Sequence, residues 1–176
     1  MPPALASRAA RAHDGEGKST GVSWHVYPEQ AAAGLRTTPG DLARFIIEVQ
    51  KAVRGPKGAV LTQAAATAMV CPVSVGPFGV GLSIDKRGEG WYFSHGGSSW
   101  GFRGGILGHV RKGYGVAILT NGDNGSALIQ RNRSARRRGV QVGLARQTTA
   151  AIVRTVCANL PARPPRDTIA ADAGKP

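Results

Sequence analysis

Between Trp91 and Phe102 the chain reads Trp91-Tyr92-Phe93-Ser94-His95-Gly96-Gly97-Ser98-Ser99-Trp100-Gly101-Phe102, an aromatic strand running into His-Gly-Gly and then small residues between two more aromatics. A histidine on an exposed strand edge offers a donor or cation that can hold a substrate carboxylate or tune a proton relay. The glycines after it let a substrate backbone approach closely. The segment thus has the composition of one wall of an active site. The structural alternative for His95-Gly96-Gly97 is a plain turn.

Several elements must position such a wall. Gly34-Leu35-Arg36-Thr37-Thr38-Pro39-Gly40-Asp41 supplies a capping threonine or aspartate and a proline, and Leu42, Phe45, Ile46 and Val49 then recur at helical spacing. A helix is expected from there to about Val53, stopped by Arg54-Gly55-Pro56-Lys57-Gly58. A second helix is expected from about Leu61 to Val70, before Pro72. Four antiparallel strands follow: Phe78 to Asp85, Trp91 to His95, Phe102 to Val110, and Tyr114 to Asn121, with Arg111-Lys112-Gly113 as the last hairpin turn. Trp91, Tyr92, Trp100 and Phe102 either line a cleft or pack the sheet; Trp100 and Phe102 are the stronger candidates for substrate contact.

In order and spacing, the helix opening at Gly34, the His95-Gly96-Gly97 strand and the strand Tyr114-Gly115-Val116-Ala117-Ile118-Leu119-Thr120-Asn121 resemble the C-terminal half of the serine β-lactamase and penicillin-binding-protein-like hydrolases. The resemblance covers residues 1–130. It implies a mixed α/β (α+β) fold, here an incomplete one with about four antiparallel strands and flanking helices. It also implies amide or ester acyl transfer on a small-molecule or peptide substrate, with no cofactor and no metal. His95, Gly96 and Gly97 match the Lys-Thr-Gly or His-x-Gly strand, and Ser98 falls where a backbone N–H forms part of the oxyanion hole. The implied catalytic positions are His95, Gly97 and Ser98; Gly96, Ser99, Trp100 and Phe102 are the implied substrate contacts.

That chemistry also needs a serine in Ser-x-x-Lys at the start of a buried helix, and a Tyr-x-Asn or Tyr-x-Ser motif from a separate loop. By letter the chain offers Ser83-Ile84-Asp85-Lys86 and Tyr92-Phe93-Ser94. The first lies in an alternating strand pattern, where residues three apart point to opposite faces and sit about 10 Å apart, against about 5 Å on a helix. The second lies on the strand that delivers His95. Both read as coincidences, so the nucleophile is expected to be absent. Gly97-Ser98-Ser99-Trp100-Gly101 also fits the Gly-x-Ser-x-Gly elbow of α/β-hydrolases, which would make Ser99 the nucleophile. The elbow needs a helix straight after the serine, but Phe102 to Val110 is strand-like, and no acid lies between Ser99 and His109, the last histidine.

Length and composition accord with a catalytically incomplete piece of a hydrolase about twice as long, whose nucleophile lobe would precede Met1. The missing strands would leave a sheet edge prone to self-association. From Arg131 to Pro176 there are ten Lys and Arg against two Asp and Glu, which supplies +8 of the chain's +13. Arginines at 131, 133, 136, 137 and 138 leave no apolar stripe and break the family pattern. A reading-frame change in GC-rich coding sequence would produce so abrupt a shift. Leu144 and Ala150-Ala151-Ile152-Val153 suggest a weak helix, and residues 161–176 read as disordered. The functional alternative is a basic module at residues 131–176 that binds nucleic acid or an anionic surface through phosphate neutralisation, although no specific recognition motif accompanies it. No signal peptide or membrane span is visible, which suggests a cytoplasmic chain. The start, Pro2 to Arg11, suggests a short surface helix. His13 and His25 lack metal-ligand spacing and read as solvated loop residues. Cys71 and Cys157 are too isolated for a disulfide framework, and Cys71 reads as a buried small apolar residue.

Overall fold

The computed structural model describes residues 3–22, 25–29, 32–55, 59–73, 75–88, 90–135 and 150–154. A one-turn helix, α1 (Pro3–Ala6), precedes a long loop that leads to α2 (Pro39–Val53). Thr38 is extended, accepts the Asp41 N–H on Oγ1 at 3.1 Å and donates its hydroxyl to Asp41 Oδ2 at 2.8 Å. This closed cap and Pro39 in the first turn explain why α2 starts where the sequence indicates. Ala43, Ile46, Val49 and Ala52 bury its apolar stripe. The shorter α3 (Gln63–Val70) is capped by Thr62, whose Oγ1 accepts the Ala65 N–H. Cys71 forms the C-cap and is half-buried, short of the burial expected, because the chain turns outward there into Pro72.

The sheet is antiparallel throughout, in the order β1 (Ser83–Arg87), β2 (Gly90–Ser99), β3 (Phe102–His109), β4 (Tyr114–Thr120) and, after α4 (Gly125–Ala135), β5 (Ala150–Arg154). The four expected strands form in their expected order. β1 begins five residues late because Gly81 takes φ +74° and turns the chain, so that Phe78 bridges back to Ser83. The weak helix suggested at Ala150 to Val153 is instead a strand on the open edge of β4, pairing Val116 with Ile152; β-branched residues suit that surface. Leu144, Cys157 and most of the basic tail (residues 136–149 and 155–176) lie outside the described residues. Among those described, no helix is long and apolar enough to cross a membrane.

Helices cover both faces of the sheet. On one, Ala43, Ile46 and Val49 of α2 meet Ile84, Phe93, Ile106 and Ala117; on the other, Leu128 and Ile129 of α4 meet Tyr92, Leu107, Val116 and Ile118. Phe93 is fully buried, which stabilises by roughly 1.5–3 kcal/mol relative to exposure. Its ring lies where a side chain at the cross-strand Gly108 would be: a Cβ there would come within 2.3 Å of Phe93 Cζ. One polar group crosses the first core. Gln50, 3% exposed, donates from Nε2 to His109 O at 2.8 Å and to Tyr114 O at 2.9 Å, fastening α2 to the two ends of the β3–β4 hairpin.

Candidate active site

β2 is ten residues long and β1 only five, so their pairing ends at Ser83 opposite Ser94. His95 to Ser99 run on with β3 on one side and, among the described residues, no strand on the other. In an antiparallel ladder the N–H and C=O of one residue point to the same neighbour, and successive residues alternate. Trp91 O accepts the Val110 N–H, so Trp91, Phe93, His95, Gly97 and Ser99 turn their backbone groups to β3. Tyr92 and Ser94 turn theirs to β1. Gly96 and Ser98 continue that second series past the end of β1, and their N–H groups face the open edge.

The side chains divide between the two faces. His95 lies opposite Ile106 on the face covered by α2, and Ser98 lies opposite Arg103 on the face covered by α4. His95, Gly96, Gly97 and Ser98 are all exposed. Among the described residues no atom beyond its chain neighbours lies within 4 Å of the Cβ position at Gly97, unlike the crowded Gly108. A shallow groove of about 260 Å³ runs from Gly96, Gly97, Ser98 and Gly104 to Ser126, Ile129 and Gln130 on α4. Ser99 pairs with the half-buried Phe102 at the end of the hairpin, and Trp100 projects from its tip, 53% exposed. Seven positions singled out by sequence thus fall on eight consecutive residues of one hairpin end.

The other aromatics belong to the core. Tyr92 is 2% exposed, its hydroxyl hydrogen-bonded to that of Tyr114 at 2.8 Å and its ring edge-on to His109. Trp91 packs against the α2 core. His109 is buried, with Nδ1 accepting the Arg111 and Lys112 N–H groups, which commits it to closing the β3–β4 turn. Ser83 and Lys86 both lie on strand β1, the lysine exposed, so the Ser-x-x-Lys letters are not on a helix. Ser99 is followed by strand β3, without the helix that a nucleophile elbow needs.

Two histidines differ from expectation. His13 is half-buried, with Nδ1 2.9 Å from Asn121 O, and its backbone bridges to Ser19 and Gly122. His25 is also half-buried, its ring 4.9 Å from that of Trp100 and 5.9 Å from that of Tyr27, with Nε2 shielded and without a hydrogen-bond partner among the described residues. Both are drawn in because the long N-terminal loop packs on the tip of the β2–β3 hairpin, an arrangement no local pattern announces. Arg103 and Asp123 meet at the same tip, 2.7 Å apart, and belong to no motif. The Asn-Gly-Asp-Asn-Gly turn signal around Asp123 marks a loop but not this partner. Among the described residues no group of His, Cys, Asp or Glu is arranged to hold a metal ion.

A family model, Beta-lactamase, matches residues 2–141. No curated protein and no solved structure matches the chain.

Proposed function

The chain belongs to the β-lactamase family, and from that premise we propose that its hydrolase-type site is the open edge of β2, with these residues supplying the substrate wall of serine acyl transfer and not the nucleophile. The observation that carries this reading is the pair of N–H groups at Gly96 and Ser98 facing an edge that no described strand pairs. Acyl transfer needs donors aimed where the carbonyl oxygen gains charge, and a fixed backbone N–H provides one without reorganising. A peptide-like substrate lying along the edge would place its carbonyl at Ser98 N–H, while His95 binds a carboxylate or polarises the substrate. Gly97 fits the same picture. No described residue crowds the Cβ position there, whereas a ligand lying against the strand would need the space a side chain would fill. Trp100, Ser99 and Phe102 would then border the substrate at the hairpin tip.

The Ser-x-x-Lys letters fall on β1 and the remaining serine elbow lacks its helix, so we propose that the chain alone does not form an acyl-enzyme. Two measurements test the two halves of the reading. Intact-mass spectrometry after incubation with a fluorophosphonate and, separately, a chromogenic β-lactam is expected to show no adduct. An adduct on Ser83 or Ser99 would overturn the missing nucleophile. Titration of ¹⁵N-labelled protein with ethyl methylphosphonate, a stable tetrahedral anion, is expected to shift the Gly96 and Ser98 amides together. No shift at either would remove the wall. The same open edge would also accept a strand from a second copy of the chain.

A further inference from the structure

β2 loses its neighbour on one side after Ser94, so among the described residues the donors at Gly96 and Ser98 sit on a strand held by β3 alone. A strand end held on one side frays unless its terminus is fixed, and a donor is useful to a reaction only if held within about 0.5 Å of its working position. The terminus here is the tip Ser99-Trp100-Gly101-Phe102. Gly101 turns with φ +75°, and the place a Cβ would occupy is taken by the fully buried Ala12, 2.5 Å away. The Gly101 N–H donates to Asp123 Oδ1 at 2.9 Å. The Arg103 guanidinium, from the residue opposite Ser98, pairs with that same oxygen at 2.7 Å and donates from Nη1 to Ser99 O at 2.6 Å and Phe102 O at 2.8 Å. Asp123 is held in turn by its own N–H, which donates to His13 O at 3.2 Å. Both side chains are about four-fifths buried, where charge-assisted hydrogen bonds exceed those at an open surface.

We propose that Asp123 and Arg103 are positioning residues of the site: together they lock the hairpin tip and so fix the direction of the Ser98 N–H at the open edge. The inference rests on the reading of that edge as the substrate side. It acts on the site from the far side of the sheet hairpin, through β4 and the N-terminal loop, without either residue touching substrate.

The test uses the full chain and three forms: wild type, Asp123→Ala and Asp123→Asn. Asp123→Asn keeps an oxygen for the Gly101 N–H but removes the charge that holds Arg103, and it guards against a failure of Asp123→Ala to fold. Amide hydrogen exchange is expected to speed up by about tenfold or more at Gly97 and Ser99 in Asp123→Ala, by less in Asp123→Asn, and to stay unchanged at Phe93 and Ile106. Affinity for ethyl methylphosphonate, read at the Ser98 amide, is expected to fall in the same order. Unchanged exchange at Gly97 and Ser99 would overturn the proposal, and so would a uniform increase across the sheet, which is the mark of a merely structural pair. The local exchange effect in the two variants, together with no phosphonate shift in wild type, would instead overturn the reading of the edge and leave the lock standing.

Discussion

Gln50→Ala is expected to destabilise the fold by about 2–4 kcal/mol, and the figure follows from two hydrogen bonds. Nε2 of this 3% exposed side chain serves His109 O and Tyr114 O, one at the end of β3 and one at the start of β4. Alanine removes that donor from both carbonyls, and each buried hydrogen bond that loses one partner costs about 1–3 kcal/mol. The lower half of the summed range applies, because Tyr114 is only half-buried and water can reach its carbonyl. Domain stabilities run to about 5–15 kcal/mol, so the loss is a large fraction of the whole. Urea unfolding reads it as a lower midpoint at unchanged slope. Gln50→Glu separates packing from donation. At neutral pH its carboxylate would face two carbonyl oxygens, which raises the carboxyl's pKa in the folded state above its unfolded value. That variant should therefore gain stability as pH falls, when a protonated carboxyl can donate to one carbonyl, and lose it as pH rises. A Gln50→Ala protein within about 0.5 kcal/mol of wild type, or a Gln50→Glu protein equally stable at pH 5 and pH 8, would refute the reasoning.

Other outcomes follow from the caps and from the close-packed glycine. Thr62→Ala should cost about 1 kcal/mol by removing the acceptor for Ala65 N–H, measured by the same unfolding curve. The Thr38 hydrogen bond, with help from Arg44, holds the Asp41 carboxyl below its usual value of 3.8. A depressed carboxyl contributes stability that is present above its unfolded pKa and lost as pH falls through its folded one. Wild type should thus lose that contribution only in acid below the ordinary carboxylate range, and Thr38→Ala should move the Asp41 titration upward by NMR. Gly108→Ala should destabilise by about 1–3 kcal/mol through overlap with the Phe93 ring, and Phe93→Leu should partly relieve it in a double-mutant cycle.

These perturbations fall into two groups by the range over which their residues act. The boundaries of α2 and α3 were legible because the caps are local: Thr38 and Thr62 each act on a backbone group three residues on. The strands β2, β3 and β4 were legible because their apolar residues alternate or run together between turn signals. Gln50, Arg103 and Asp123 were not, since each works at long range. Gln50 reaches carbonyls 59 and 64 residues away, and nothing in a helical period says that a glutamine on the buried face will find two acceptors. His25 reads as a loop residue until the hairpin tip brings Trp100 against it. β5 went the other way, because a short Ala-rich apolar run suits a helix or a strand equally and the open edge of β4 decided it.

The site shows the same division more sharply. Sequence identifies the residue types at His95 to Ser98, but what would give them the proposed chemistry is a mismatch of lengths. β1 stops after five residues and β2 continues to ten. Had β1 begun several residues before Ser83, the Gly96 and Ser98 N–H groups would be ladder bonds and the His-Gly-Gly stretch an ordinary strand. Strand length here is set by Gly81 and the turn from Phe78 to Ser83, residues with no chemistry of their own. A Gly81 replacement that straightened this turn would therefore act on the site by covering its edge, so phosphonate binding at Ser98 should disappear while His95 and Gly97 remain in place. Loss of binding with the Gly96 and Ser98 amides newly protected from exchange would establish that cause, and loss without protection would contradict it.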